Sequence, residues 1–317
     1  MFPTVPLRSR APIFAHALFR ALALVLAFGL AAPGAAETVD LSGEAAYPPL
    51  YPPDSLGGEV PRDVVLLGAD MVEIAVALGA AGRILARPFA VDLPGIEETP
   101  HVIRERAGLE GVIALRPGVV VASSVIFRTL MVGLDGVGIE NETIDRTLPA
   151  TEKVTRLAAL LGLEARGAEL VRAIEADYRE ATAPLIDGRP IRILHISKQG
   201  AGGSFSAGGA DTAVHNLILR VGGLNAAAEI GRDRYRPVTP ESILMMAPDV
   251  VILSKAEMEV FGGDPDRIWA DYPGLGLTPA GREKRLIVMR DLHVRQDAAS
   301  SGIATKALAR ALTEMFP

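Results

Sequence analysis

The sequence predicts an α/β protein of two similar lobes with parallel sheets, joined by one long helix. Three observations carry this expectation. Residues 110–123 (EGVIALRPGVVVAS) and 241–254 (ESILMMAPDVVILS) follow one pattern: Glu, six residues, Pro, one residue, three aliphatic residues of Val or Ile, one residue, Ser. In each copy a short amphipathic helix led by a carboxylate gives way, through a Pro that cannot continue it, to a buried strand. Next, Asp63 to Leu67 reads as a strand, Gly68 to Asp70 as a tight turn, Met71 to Leu78 as a helix capped by Asp70, and Arg83 to Ala86 as the following strand. That order builds a parallel sheet covered by helices. Finally, residues 149–187 are helical in pattern almost throughout, with Val154, Leu157, Leu161, Leu170 and Ile174 on one face. About 35 helical residues at 1.5 Å each span roughly 50 Å, enough to cross between lobes.

The elements follow in order along 317 residues, room for two domains that each bury a core. Residues 1–36 differ in kind: Arg8, Arg10 and Arg20 precede an apolar run from Ala21 to Leu30, and small residues lead to Ala36. This is the pattern of a secretory signal peptide, and the run is too short for the ~20 apolar residues of a membrane span. Residues 37–62 are rich in Pro and Gly and read as an extended leader on the first lobe. The first lobe is placed at 37–148, with a helix from Ile126 to Val132 and a strand from Gly136 to Ile139 closing it. The linking helix occupies 149–187, with Gly162 and Gly167 marking a bend. The second lobe, 188–317, opens with a strand from Ile191 to Ser197, a Gly-rich loop from Lys198 to Gly209 and a helix from Asp211 to Val221. Its second repeat copy is followed by a strand from Ile287 to Met289 and a last helix from Ala304 to Phe316.

Composition narrows the function. Cysteine is absent, so an exported chain must stand on its cores without disulfides and has no Cys for a lipid anchor. The formal charge of −6, more negative still once three signal arginines are removed, argues against nucleic acid as a partner. Gly200 and Gly202 begin like a dinucleotide fingerprint, but Phe205 stands where its third glycine belongs, and no Gly-Lys-Ser/Thr follows. Neither a nucleophile elbow nor a His-Glu-x-x-His motif occurs. His195 alternates within a strand and His215 sits in a helix among Val and Leu, so both read as packed side chains. His101 and His293 have polar neighbours and are the candidate ligand contacts. Glu110 and Glu241 hold matching places in the two copies, where a pair of charges suits a two-fold symmetric, basic partner.

Segments 66–88, 108–123, 206–227, 235–253 and 272–281 (LLGADMVEIAVALGAAGRILARP, GLEGVIALRPGVVVAS, SAGGADTAVHNLILRVGGLNAA, YRPVTPESILMMAPDVVIL, YPGLGLTPAG) resemble the substrate-binding proteins of ABC importers. The resemblance is to the periplasmic haemin-binding proteins, within the class III periplasmic binding proteins that also serve cobalamin and ferric siderophores. It implies two Rossmann-like lobes on a helical backbone, a ligand held in the cleft between them, and a monomer that delivers its cargo in the periplasm without making or breaking bonds. It implies docking of Glu110 and Glu241 on arginines of a permease dimer driven by its ATPase. In that family an aromatic iron ligand, usually Tyr, precedes the first Glu motif, and here the position reads Ile103. His101 is then the candidate iron ligand, Arg104 and Arg106 are candidate partners of haem propionates, and Lys198, Gln199 and His293 are further candidate contacts. No intrinsic cofactor is expected, only haem as cargo. The alternatives carried forward are a binder of cobalamin or a ferric siderophore in the same role, and an exported enzyme on the same architecture.

Overall fold

In the computed structural model the described residues are 38–57, 60–104, 108–199, 204–272 and 274–317; Arg106 and the tip of the Gly-rich segment lie outside them. The chain begins with strand β1 (Thr38–Leu41) and then enters the first lobe with β2 (Val64–Leu67), helix α1 (Ala69–Ala77), β3 (Ile84–Pro88), β4 (His101–Ile103), α2 (Leu109–Ala114), β5 (Val119–Ala122), α3 (Arg128–Gly136) and β6 (Glu140–Thr143). All five strands of this sheet run parallel, in the order β4-β3-β2-β5-β6. Numbered within the lobe the order is 3-2-1-4-5, the doubly wound arrangement whose crevice opens where the winding reverses, here between β2 and β5. Alternation along the strands makes two cores. Val64, Leu66, Val119 and Val121 pack toward α1, while Val65, Leu67, Val120 and Ala122 pack toward α2 and α3. The central strands are buried on both faces in this way, which is why β2 and β5 read as nearly unbroken Val and Leu.

The segment expected as one helix is two, α4 (Ala150–Leu160) and α5 (Glu164–Arg179). Gly162 between them adopts φ +68°, a left-handed turn that ends α4. Gly167 does not bend anything: a Cβ there would come 2.4 Å from the Ala158 Cβ, so the glycine lets α4 and α5 approach closely. The expected bent helix is thus replaced by a packed helix pair. Its first member lies on α1 and its second on the last helix of the chain.

The second lobe adds a short hairpin, β7 (Leu185–Ile186) and β8 (Arg189–Pro190), then β9 (Arg192–Gln199), β10 (Ser204–Gly208), α6 (Ala213–Arg220), β11 (Leu224–Asn225), β12 (Tyr235–Pro237), α7 (Pro240–Met246), β13 (Val250–Ser254), α8 (Lys255–Val260), α9 (Pro265–Asp271), α10 (Pro279–Arg282), β14 (Leu286–Met289), α11 (Asp291–Arg295) and α12 (Ser301–Met315). The sheet order is β1-β14-β13-β9-β10-β12, with β11 also on β9. It is mixed rather than purely parallel, because β10, within the segment expected as a Gly-rich loop, pairs antiparallel with β9. The two repeat copies fall where the sequence placed them, as α2–β5 and α7–β13. In both, the residue just before the proline, Arg116 or Ala247, takes positive φ. A left-handed residue ends the helix, and the proline forbids its continuation.

The leader departs from expectation. Thr38–Leu41 pairs in parallel with β14 of the second sheet, and the chain then crosses to the first lobe, where Ala81 N donates to Pro53 O and Ser55 N to Gly79 O. It is therefore a second link between the lobes. A third is apolar: Leu292, Ala298 and Ala299, from the corner before α12, belong to the same core as α1 and α4. The described residues form one compact unit.

Within that seam lies a polar node. Lys153 of α4 and Asp70 of α1 pair at 3.3 Å, each about 1% exposed. Asp70, expected as a helix cap, is instead a buried first-turn residue, with Gly68 at the cap position. One turn along α1, the buried Glu73 accepts a hydrogen bond from the Ser300 amide at the start of α12. Desolvation dominates its ionisation and raises it from 4.5 to about 8, against lowering by Ser300 and Lys153 and with Asp70 adding to the rise. Folding thus favours the protonated acid. Its contribution is complete below pH 4.5 and is lost as pH rises through about 8. We expect the urea midpoint to fall between pH 5 and pH 8, and Glu73→Gln to flatten that slope; equal slopes in the two proteins would show that Glu73 does not titrate in this window.

Candidate functional site

A concavity of about 690 Å³ opens at the carboxyl edge of the first sheet. Leu67, Pro88, Ile103 and Ser123 each sit at or just beyond a strand end and form its floor. Gly68 and Ala69 open α1 onto it, and Gln296, after α11, is the contribution of the second lobe. The location follows from topology, since β2 and β5 diverge into helices on opposite faces of the sheet.

Gly68 is required by space. A Cβ on it would lie 2.0 Å from Ser123 Oγ and 2.6 Å from Asp70 Oδ1, so the strand ends of β2 and β5 close up only around a residue without a side chain. Arg146, just past β6, is held at the rim by its backbone: its amide donates to Ser123 O, and its carbonyl accepts from Lys153 Nζ at 3.3 Å. The buried Lys153–Asp70 pair therefore positions both α1 and the Arg146 loop. Arg104 follows β4 and places its guanidinium 5.7 Å from the centre of the Phe89 ring, within cation–π range. The remaining wall is apolar. Phe89 and Ile126 are 70% and 74% exposed, and the neighbouring Val125 is 62% exposed. Large apolar side chains left bare in a concave site mark a ligand surface.

The second lobe carries a buried polar chain. The Tyr235 hydroxyl is hydrogen-bonded to His195 Nδ1 at 3.1 Å, and His195 Nε2 donates to Glu257 Oε2 at 3.1 Å. Arg295 donates to the same carboxylate and, at 2.9 Å, to Ser197 Oγ. Burial opposes ionisation of Glu257, but His195 and Arg295 outweigh it and hold the carboxyl down at about 2. Burial likewise pushes the Tyr235 hydroxyl up to about 12. His195 is thus packed, as its place in a strand implied.

The candidate residues divide. Arg104 lines the cleft, as does Ile103 at the position where an aromatic ligand was sought. His101 does not: it is exposed at the amino end of β4, whereas the crevice opens at the carboxyl end. His293 is a correction of a different kind. It lies in α11, is 2% exposed and bonds through Nε2 to the Ala45 carbonyl of the leader, and burial lowers it to about 4. A histidine spent on the leader has no face toward ligand. Lys198 holds its ammonium 5.5 and 5.6 Å from the Phe205 and Phe261 rings rather than in the cleft lining. Gln199 ends β9, and Arg106 lies outside the described residues. Glu110 and Glu241 are both exposed in the first turns of α2 and α7. Glu241 is held below the usual carboxylate range by its own backbone amide and the Thr239 side chain. Sequence reasoning missed Phe89, Arg146 and Gln296. Phe89 and Ser123 were within reach of the rule that ligands meet the residues just past strand ends; Arg146 was not, because β6 was expected several residues too early.

This is the architecture of a two-lobed solute binder, and comparison with known proteins agrees. A family model described as periplasmic binding protein matches residues 64–292, and the chain belongs to that family. Among solved structures it is similar to the periplasmic heme-binding protein BhuT in complex with two hemes, with a TM-score of 0.70 and 28% identity over 80% of this chain and 99% of that one. It is also similar to the periplasmic heme-binding protein RhuT from Roseiflexus sp. RS-1 in apo form, with a TM-score of 0.66 and 25% identity over 80% and 99%. The periplasmic heme-binding protein HutB of Vibrio cholerae has a TM-score of 0.69 at 22% identity over 81% and 100%, a likeness of fold. No curated protein sequence matches the chain.

The Gly68 contact is directly testable. Gly68→Ala overpacks the strand ends and should cost about 1–3 kcal/mol in urea unfolding, with Ser123→Gly recovering part of the loss. A Gly68→Ala protein as stable as the parent would refute the close approach.

Proposed function

We propose that this protein is the periplasmic substrate-binding component of an ABC importer and that its cleft captures haem. The observation that carries the reading is the composition of one wall: exposed apolar surface at Phe89 and Ile126 and partly buried apolar surface at Ile103 and Phe127, bounded by the guanidinium groups of Arg104 and Arg146. Haem is a flat apolar macrocycle with two carboxylates on one edge. Its faces match the apolar wall, and its propionates match arginines, which bind carboxylates in a two-pronged geometry. A cleft of about 690 Å³ falls within the roughly 300–1,000 Å³ of small-molecule sites. The kinship with proteins described as heme-binding at 25% and 28% identity supports the same ligand. With capture and release as its work, the protein makes and breaks no bonds.

Export follows from the amino-terminal signal pattern, and delivery from Glu110 and Glu241. Each stands exposed at the start of the helix in one repeat copy, so the two lobes offer one carboxylate apiece to a two-fold permease whose ATPase drives uptake. The monomer is the unit that docks. The shared core and the leader link the lobes, so ligand enters a cleft already formed.

Haemin added to the purified protein should give a saturable Soret change. Arg104→Ala and Arg146→Ala should each weaken it by roughly tenfold or more, from the ~1.5–3 kcal/mol of a hydrogen bond to a charged group; an absent Soret change in the parent protein ends the haem reading. In cells that depend on haem uptake, Glu110→Lys with Glu241→Lys should abolish growth while haemin affinity in vitro stays within about twofold, a change of under 0.5 kcal/mol. Growth that survives the double reversal would remove the docking assignment.

A further inference from the structure

The central metal of a tetrapyrrole is ordinarily held by His, Tyr, Met or Cys, and here the positions of those side chains can be followed one by one. Cysteine is absent. Among the described residues lining the cleft none is His, Tyr or Met. Tyr47 packs on the first-lobe core, Tyr51 bonds to Glu169 and Tyr178 to Ser301. Tyr272 is 1% exposed, and Tyr235 is engaged with His195. Of the described histidines, His195 and His293 are committed to Glu257 and to the Ala45 carbonyl, while His101 stands at the far end of β4 and His215 on α6. Each described methionine is buried except Met245, which is exposed on α7. At the one cleft position where an aromatic ligand was sought, Ile103 presents hydrocarbon.

Resting on the haem reading above, we propose that this cleft recognises a dicarboxylate tetrapyrrole by its flat face and its propionate edge, without a protein ligand to the central metal. Its substrate class is then porphyrins in general, metal-free ones included. The recognition elements are those on the page: apolar contact from Phe89, Ile103, Ile126 and Phe127, whose worth scales with buried area, and charge-assisted hydrogen bonds from Arg104 and Arg146. None of these senses what occupies the ring centre. A coordinate bond would have made the iron a large part of the affinity; without one, removing iron leaves the binding contacts in place.

The test titrates the mature protein with haemin, zinc protoporphyrin IX and metal-free protoporphyrin IX, and repeats the haemin titration on His101→Ala and His215→Ala. The expected result is dissociation constants for the three compounds within about tenfold of one another, the equivalent of 1.4 kcal/mol. Arg104→Ala should weaken all three alike, and the ferric Soret maximum should be unchanged in both histidine variants. Haemin preferred by more than tenfold over the metal-free ring, or a Soret maximum displaced by either histidine substitution, would overturn the proposal. Should none of the three bind, it is the haem reading itself that fails, a result distinct from a binder that discriminates by metal.

Discussion

The buried pairing of Lys153 with Asp70, and the bond from the Ser300 amide to Glu73 one turn away, tie together α1, α4, the Arg146 segment and the start of α12. The pair fastens α4 to the start of α1, and the same ammonium reaches the carbonyl of Arg146. The Glu73 bond reaches across the seam to α12. Such a pair is a poor source of net stability, because taking two charges out of water costs nearly what their attraction returns. Its value lies in asymmetry: an ion that loses its partner in a site 1% exposed stays buried and charged, a state costing about 3–5 kcal/mol. The geometry of the cleft floor is therefore protected by the penalty on every alternative arrangement.

Around that node the lobes are coupled by three routes of different chemistry. The α4–α5 pair crosses by helix packing tight enough to need Gly167 against Ala158. The leader crosses by β-pairing at one end and backbone hydrogen bonds at the other. The corner before α12 crosses by apolar burial of Leu292, Ala298 and Ala299 in the first-lobe core. A binder so connected selects ligand by a preformed surface, and binding energy need not be spent on closing two free bodies. That suits the rigid, flat cargo proposed for the cleft.

Much of the fold was legible in local pattern. The repeat copies, the strand of Val64 to Leu67 and the helices at 109–114 and 240–246 could be read because period and proline punctuation report burial on a single element. The errors came where a distant residue decided. Asp70 looks like a cap until Lys153 is brought to it from 83 positions away. Gly167 looks like a bend until Ala158 is set against it. His293 looks like a ligand on the strength of polar neighbours, yet the leader carbonyl that claims it is 248 residues distant.

The amino-acid sequence by itself determined the duplicated α/β plan and the two exposed carboxylates, since each depends on residues within one turn or one strand of each other. Only the tertiary structure decided what lines the crevice. Phe89, Ile103, Ser123 and Arg146 come from four separate strand ends, and the winding order of the sheet is what sets them side by side. The same is true of the first strand's membership in the second sheet: pairing between segments so far apart is fixed by the free energy of the assembled core, which no local stretch of sequence encodes.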